Sequence, residues 1–539
     1  MTRFNAAFIL LAAAALVVAD YPIIDGHAVL EHIRVLSSDR FEGRLPGTPG
    51  EDLSVAYIEE QFRSVGLKPG NTDGTYVQKV PLAGIRPDPA QILTLRAKDK
   101  TRRLKYLEDF VAWTQKLVPQ TVVENSPLVF VGYGVQAPEF SWDDYKGQDV
   151  RGKTLVMLVN DPPVPDPAHP GKLDPKVFGG EAMTYYGRWT YKYEIGGRKG
   201  AAGVIIVHES GPAGYPWSVV EGFGGERFDL IARSAPVPEV EAWIGLEQAK
   251  QLFAMAGQDF DTLKKQAATR TFRPVSLGVT ASFRFQNSIR TVTSRNVLGR
   301  FEGSDPKLKD EFVIYTAHWD HLGVGKPVNG DRIYHGAVDN ASGVAGLIEI
   351  ARAFRKWAKP PKRSILFLAD TGEEQGLLGS QYYTENPVYP LAKTLAEINM
   401  DGLNVYGRTR DITVVGLGKS EMDDYARAAA ARQNRVLAPD PEPEKGFYYR
   451  SDHFPFAKKG VPAFDPDSGI EYIGKPSGYG RRIRDEYTEK DYHQPSDVIK
   501  PGWDMSGAAE DLELFWMVGY DVANSDHFPG WKPGAEFKR

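Results

Sequence analysis

The second half of this 539-residue chain contains apolar runs that alternate with helical segments, and this alternation constrains the fold more than any other feature. The runs are "FVIYTAH", "SILFLAD" and "LAEINMD", and "SGVAGLIEIARAFRKWA" between the first two has helical spacing. Strands that alternate with helices form a mostly parallel sheet covered on both faces. We therefore predict an α/β fold with a mostly parallel, twisted sheet flanked by helices.

The length exceeds what one compact core supports, so two or three domains are expected. Residues 126–285 consist of short β-rich runs split by glycine and proline, which predict a separate β-rich domain. We place this domain as an insertion between residues 20–125 and residues 286–539.

Residues 1–19 combine one arginine, an apolar run and small residues at the end, which predicts a secretory signal peptide. The mature chain is then expected to be exported, to a periplasm or beyond. No other stretch resembles a membrane span. The formal net charge of -5 provides no basic surface for phosphates, so we expect no nucleic-acid partner.

Acidic and imidazole side chains follow each of the three predicted strands. In chain order they are His318, Asp320 and His321, then Glu373 and Glu374, then Asp401. Ligands of open α/β sheets bind outside the carboxyl ends of the strands, so we expect these side chains to converge. Asp339, just before a predicted helix, and His493, in a predicted loop, are further candidates.

Taken singly, Asp339 could be a helix cap, Asp401 a turn residue and His493 a loop histidine. Together, two histidines and three carboxylates in a chain with no cysteine suit zinc in an open, catalytic arrangement. Five ligands are too many for one tetrahedral ion that also keeps a water. Two ions that share one carboxylate need about this number, so the set favours a two-metal site.

The ordered motifs "TAHWDHLG", "GAVDNASG", "GEEQGLLGS", "INMDG", "RSDHFPFAKKGVP" and "YHQPSD" resemble those of the zinc metallopeptidases of family M28. This family includes bacterial aminopeptidases and glutamate carboxypeptidase II. The segment "LSSDRFEGRLPGTPGE" is similar to the one that opens the peptidase domain, and the β-rich middle is similar to the protease-associated (PA) domain of many members. The resemblance implies an α/β/α zinc-peptidase sandwich with an inserted PA domain.

The resemblance also implies the metal ligands. Asp339 would bridge two zinc ions. His318 and Asp401 would complete the protein ligands of one ion, and Glu374 and His493 those of the other.

Further roles follow from the same resemblance. Glu373 corresponds to the general base, and Asp320 to the carboxylate that fixes the ring of the first histidine ligand. His321 matches no ligand position and is interpreted as a neighbour of the site. Asp452 is a candidate to meet a free α-amino group, and Tyr492 to donate to the developing oxyanion.

The function implied is that of an exported dinuclear zinc aminopeptidase acting on peptides. A carboxypeptidase or dipeptidase would use the same metal core and recognise the other terminus. A single-zinc glutaminyl cyclase is disfavoured by the long insertion, and a non-catalytic protein of the transferrin-receptor type by the filled ligand positions. The basic run "GRRIRDE", residues 480–486, is either a solvated surface or a source of positive charge for an acidic substrate.

Overall fold

The computed structural model describes residues 21–233 and 235–539. The signal peptide predicted for residues 1–19 lies outside these described residues. Within the described ranges, no helix combines the length and the apolar character that crossing a membrane requires.

Strands and helices are distributed along the whole described chain. The strands are β1 (Lys68–Pro69), β2 (Val77–Pro87), β3 (Ile92–Ala97), β4 (Lys100–Leu104), β5 (Phe110–Trp113), β6 (Gln120–Phe130), β7 (Gln136–Ala137), β8 (Trp142–Asp143), β9 (Thr154–Leu158), β10 (Gly203–His208), β11 (Arg227–Leu230), β12 (Val240–Gly245), β13 (Val275–Phe301), β14 (Phe312–His318), β15 (Gly323–Val328), β16 (Asp331–Tyr334), β17 (Ser364–Asp370), β18 (Thr394–Asn399), β19 (Asp411–Val415), β20 (Val436–Pro439) and β21 (Ala463–Asp467). The α-helices are α1 (Gly26–Leu36), α2 (Pro49–Val65), α3 (Trp189–Arg198), α4 (Ser210–Ala213), α5 (Trp217–Gly222), α6 (Leu246–Met255), α7 (Phe260–Ala267), α8 (Gly343–Lys356), α9 (Leu378–Glu385), α10 (Met422–Arg432), α11 (His453–Lys458), α12 (Tyr479–Lys490) and α13 (Ser506–Asn524).

The main sheet runs in the order β11, β2, β13, β17, β14, β18, β21, β19 and β20, and the short strand β1 pairs with the end of β13. Its central strands β17, β14, β18 and β21 are parallel. The three apolar runs are β14, β17 and β18, and all their residues are buried.

Helices cover both faces of this sheet. Alternate residues of β14 and β17 pack with α8 and α13 on one face, and the residues between them pack with α9 and α11 on the other. This alternation explains why the strands are apolar throughout. The predicted α/β fold, a mostly parallel sheet flanked by helices, is confirmed.

A second sheet runs in the order β4, β3, β13, β6, β9, β10, β12 and β5. The 27-residue strand β13 belongs to both sheets, because its first part pairs with β6 and its later part with β2. Strands β3, β4 and β5 lie in this second sheet although they precede residue 126, where the insertion is predicted to begin. The domain boundaries stay a prediction.

The basic run at residues 480–486 lies on helix α12 and is paired within the chain. Arg484 contacts Glu442 at 3.4 Å and Asp467 at 3.0 Å. Arg482 contacts Glu486 at 3.3 Å. These carboxylates already form ion pairs with the arginines of the run. The run is therefore a poor candidate for binding an acidic substrate.

Candidate metal centre

The main sheet brings three loops to one edge. β14 ends at His318 and β17 at Asp370, and these two residues are paired in the parallel register. Thr316 of β14 is paired with Asn399, the last residue of β18. Because parallel strands end at the same edge, the loops that follow them meet there.

Asp339 lies between two groups of side chains at this edge. Its Oδ1 is 3.4 Å from His318 Nε2, and its Oδ2 is 3.2 Å from His493 Nε2. The Asp497 carboxylate anchors the backbone, because it accepts the N–H groups of Val338 and Asp339 at 3.0 and 3.1 Å. The two oxygens of one carboxylate therefore face two different histidines.

The first group consists of His318, Asp339 and Asp401, whose ligand atoms lie within 4.8 Å of one another. His318 Nε2 is 3.2 Å from Asp401 Oδ1, and Asp401 Oδ2 accepts a hydrogen bond from Ser451 Oγ at 2.7 Å. His318 Nδ1 is 3.2 Å from the carbonyl oxygen of Asp320 and 3.8 Å from its Oδ1. Asp320 thus lies beside the ring, and its main-chain oxygen is a nearer acceptor than the carboxylate to which the resemblance assigned the role of fixing the ring.

The second group consists of His321, Asp339 and Glu374, again with ligand atoms within 4.8 Å of one another. His493 lies beside it, with Nε2 3.0 Å from Glu374 Oε2. His321 is fully buried, and its Nδ1 is 2.5 Å from Glu374 Oε1. From the sequence, His321 was interpreted only as a neighbour of the site. The motif "HWDH" nevertheless places His321 just after the end of the strand that carries His318.

Negative charge dominates this edge. Burial opposes a charge on His493, yet the carboxylates of Glu374 and Asp339 raise its pKa to about 10. Burial likewise opposes ionisation of Glu374, yet the His493 imidazole and the neighbouring His321 lower its pKa to about 2. Carboxylates that stay ionised when buried require cations close by.

The donor set suits divalent cations. It consists of imidazole nitrogens and carboxylate oxygens, which zinc binds readily. Among the described residues, His321 Nε2 and Asp339 Oδ1 are buried without a hydrogen-bond partner. Cations at this edge would satisfy such atoms and balance the carboxylates.

Glu373 lies beside the first group without belonging to either. Its Oε2 is 3.9 Å from His318 Nε2, and its N–H donates to Asp320 Oδ1 at 3.2 Å. Burial, assisted by the charge of Asp401, raises the pKa of Glu373 well above the ordinary value. A carboxyl group in such surroundings binds a proton more readily than one in water, and a general base uses that property when it accepts a proton.

The two candidate substrate-binding residues differ in position. Tyr492 is 39% exposed, and its ring stacks on the ring of the neighbouring His493 at a centroid distance of 3.9 Å. Asp452 is only 1% exposed and accepts a hydrogen bond from Ser380 Oγ at 2.5 Å. The structure therefore leaves Tyr492 accessible to a substrate and does not bring Asp452 to the open side.

Two residues that organise this edge were missed from the sequence. Asp497 closes the motif "YHQPSD", and Arg44 lies in the segment "GRLPGTPG". Arg44 donates to the carbonyl oxygens of Trp319 and Gly336, both at 2.8 Å. Each is a charged residue inside a motif that resembles the family pattern, and that position was the signal that could have identified it.

Comparison with known proteins finds a family profile and two relatives that match parts of this chain. Residues 296–517 match the profile of peptidase family M28. Aminopeptidase NAALADL1 of Mus musculus is 39% identical over 121 residues, which are 21% of this chain and 14% of the relative. A glutamate carboxypeptidase 2 homolog of Caenorhabditis elegans is 27% identical over 304 residues, which are 51% of this chain and 37% of the relative. The matched segments thus span well under half the length of these relatives.

Solved structures match nearly the whole chain. One of them is an aminopeptidase from Aneurinibacillus sp. strain AM-1, with a TM-score of 0.52 and 20% sequence identity. The match covers 96% of this chain and 98% of that one. At this identity, the likeness shows a shared fold.

Proposed function

Because residues 296–517 match the profile of peptidase family M28, we propose that this chain is an exported zinc aminopeptidase that removes N-terminal residues from peptides. The observation that carries the proposal is the position of Asp339. One carboxylate faces His318 on one side, at 3.4 Å, and His493 on the other, at 3.2 Å. That arrangement supports two zinc ions that share a ligand.

In this proposal His318 and Asp401 hold one ion, Glu374 and His493 hold the other, and Asp339 is shared. Zinc bound at such a site lowers the pKa of water and polarises a carbonyl group. His321, against Glu374 at 2.5 Å, orients that carboxylate.

Glu373 carries the proton in the proposed reaction. It lies beside the first group, and its raised pKa suits a group that takes a proton from the attacking water and returns it to the leaving amine. Tyr492 is 39% exposed, and in the proposed reaction its hydroxyl donates to the oxygen on which negative charge develops.

Recognition of a free amino terminus is supported by the name of one relative. The relative from Mus musculus, matched over 121 residues, is named an aminopeptidase.

A carboxypeptidase or dipeptidase is the second candidate, and two arginines favour it. Arg188 and Arg450 make no ion pair within residues 21–233 and 235–539, and Arg188 Nε is buried without a hydrogen bond. Burial and the nearby charge of Arg450 lower the pKa of Arg188 to about 9. Arg450 directly precedes Ser451, which hydrogen-bonds Asp401. Two free guanidinium groups beside the centre could bind a substrate carboxylate.

A substrate screen separates the candidates. Zinc-loaded protein would be incubated with dipeptide amides, which have a free N-terminus only, and with N-acetyl dipeptides, which have a free C-terminus only. Release of the first residue from the amides alone supports the aminopeptidase. Cleavage of the N-acetyl dipeptides alone would replace it with the carboxypeptidase.

A further inference from the structure

Arg44 is a buried cation without a carboxylate partner. It is 1% exposed, and among the residues that the structure describes it forms no ion pair. It belongs to "DRFEGR", residues 39–44, far outside the matched range 296–517. A buried guanidinium is costly unless its donors are satisfied.

The guanidinium satisfies its donors with main-chain carbonyl groups of three segments. Nε donates to Trp319 O at 2.8 Å, and Nη2 to Gly336 O at 2.8 Å. Nη1 donates to Leu36 O at 2.8 Å and to His335 O at 2.7 Å. One rigid side chain thereby ties the end of α1 to two loops of the metal centre.

Both loops carry candidate ligands. Trp319 directly follows His318, and Gly336 lies three residues before Asp339. The main chain of Arg44 adds a further tie, because its carbonyl oxygen accepts the N–H of His321 at 3.4 Å.

These two loops are tightly packed against each other. A Cβ atom on Gly336 would lie 2.2 Å from Asp339 O and 2.7 Å from the His321 ring. Arg44 itself has φ of 53°, a left-handed conformation that a side chain adopts only when its surroundings impose it. A small shift at Arg44 would therefore reach the ligands directly.

Charge supports the same role. Burial lowers the pKa of Arg44 to about 10, so the group remains a cation at neutral pH. The charges of Asp497 and Asp339 are the strongest that favour its protonated form. Arg44 thus gives the acidic edge a fixed positive charge without occupying any ligand atom.

We propose that Arg44 is a positioning residue that holds the two ligand-bearing loops in register through Trp319 and Gly336, and thereby sets the zinc affinity of the centre. The inference rests on the proposed function only in that the centre binds zinc. Lysine cannot replace the arginine, because a single ammonium group cannot reach carbonyls on several sides as the planar fork does.

The test compares Arg44→Lys with a matched variant, Arg363→Lys. Arg363 is 4% exposed, pairs with Glu311 at 2.7 Å and donates to Ser525 O at 2.6 Å, so it is another buried arginine of the main sheet region. Its contacts include no candidate ligand. Zinc affinity would be measured on the metal-free, folded chain by competition with a chromogenic chelator, and thermal unfolding would be followed in parallel.

We expect Arg44→Lys to weaken zinc binding by about 10–100-fold, the usual effect of removing a group that orients ligands. Arg363→Lys should lose thermal stability and keep its zinc affinity. Wild-type affinity in Arg44→Lys, or equal losses in both variants, would overturn the inference while leaving the proposed function intact. A wild-type chain that binds no zinc would instead defeat the proposed function.

Arg44→Gln, which keeps an N–H donor and removes the charge, serves if the lysine variant does not fold. A weakened zinc affinity in Arg44→Gln supports the inference, and wild-type affinity overturns it. If neither Arg44 variant folds while Arg363→Lys does, Arg44 is required for folding rather than for the centre, and the inference fails.

Discussion

Glu373 and Glu374 are adjacent in the chain, yet they face different histidines. Glu374 Oε1 is 2.5 Å from His321 Nδ1, whereas the nearest histidine nitrogen to Glu373 in the described centre is His318 Nε2, at 3.9 Å from Oε2. Both residues lie in the turn that follows β17, where their side chains point to different histidines. In the proposed mechanism Glu374 binds a zinc ion, whereas Glu373 transfers a proton.

Substitution of each glutamate should therefore have different consequences. Glu373→Ala should lower kcat by at least about 10²–10⁴-fold, the usual contribution of a general base, and should keep the wild-type zinc content. Glu374→Ala should lose zinc as well as activity. Steady-state kinetics and elemental analysis of both variants test this, and equal zinc loss in both would refute the division of tasks.

His321 should influence zinc binding through Glu374. We expect His321→Ala to weaken the second zinc site by about 10–100-fold, because Glu374 loses the partner that orients it. Stepwise zinc titration would resolve the two sites. His208→Ala is the control, since His208 is a buried histidine of the second sheet whose Nε2 lies 3.0 Å from Tyr215 O. If His321→Ala binds zinc at both sites as tightly as the wild type does, His321 does not contribute to zinc binding.

Tyr492 should act on turnover rather than on substrate binding. Tyr492→Phe keeps the ring that stacks on His493 and removes only the hydroxyl. A lost donor to a developing oxyanion lowers kcat by about 10²–10³-fold with little change in KM. If kcat of the variant equals that of the wild type, another group must stabilise the oxyanion.

Substitution of Arg188, which lies near Arg450, should distinguish the proposed aminopeptidase from the carboxypeptidase or dipeptidase. If the two arginines bind a substrate carboxylate, Arg188→Met should raise KM for dipeptides and leave KM for dipeptide amides unchanged. For an aminopeptidase that ignores the C-terminus, the variant should treat dipeptides and amides alike. Arg484→Met is the control, because the guanidinium of Arg484 is already paired with Asp467 at 3.0 Å.

Glu241 predicts a pH dependence of stability in the second sheet. It is 1% exposed and accepts a hydrogen bond from Trp113 Nε1 at 2.7 Å. Burial raises its pKa from 4.5 to about 7. The folded state therefore holds a proton that the unfolded state releases, so this group's contribution to stability is complete below pH 4.5 and is lost as the pH rises through about 7.

Urea unfolding at pH 5 and pH 8 measures that contribution, which is at most about 3 kcal/mol by proton linkage. Glu241→Gln stays neutral at both values and should show a smaller loss of stability between them. An identical loss in wild type and variant would mean that Glu241 does not titrate in this range.

The sequence predicted those parts of the centre that depend on local pattern. Buried strands appear as continuous apolar runs, and residues at the end of such a strand or in the loop after it lie at the carboxyl edge of the sheet, so the positions of His318, Glu373 and Asp401 could be predicted. Arg44 could not be assigned, because its carbonyl partners are main-chain atoms that carry no sequence signal.

The solvent exposure of the candidate substrate-binding side chains also could not be predicted from the sequence. Asp452 and Tyr492 both lie in polar motifs, yet one is 1% exposed and the other 39% exposed. That difference arises from tertiary packing, since Asp452 begins the turn before α11, which packs under the sheet. The second sheet likewise recruits β3 from before the predicted insertion through its pairing with the long strand β13.

The most direct test of the account is the zinc content of Asp339→Ala beside that of the wild type. Elemental analysis after dialysis should find two zinc ions per wild-type chain and fewer in the variant, because one carboxylate serves both sites. Asp331→Ala, a change at a half-exposed carboxylate on the β15–β16 hairpin, should keep both ions. A wild-type chain with one zinc ion, or an Asp339→Ala chain with two, would contradict the shared ligand.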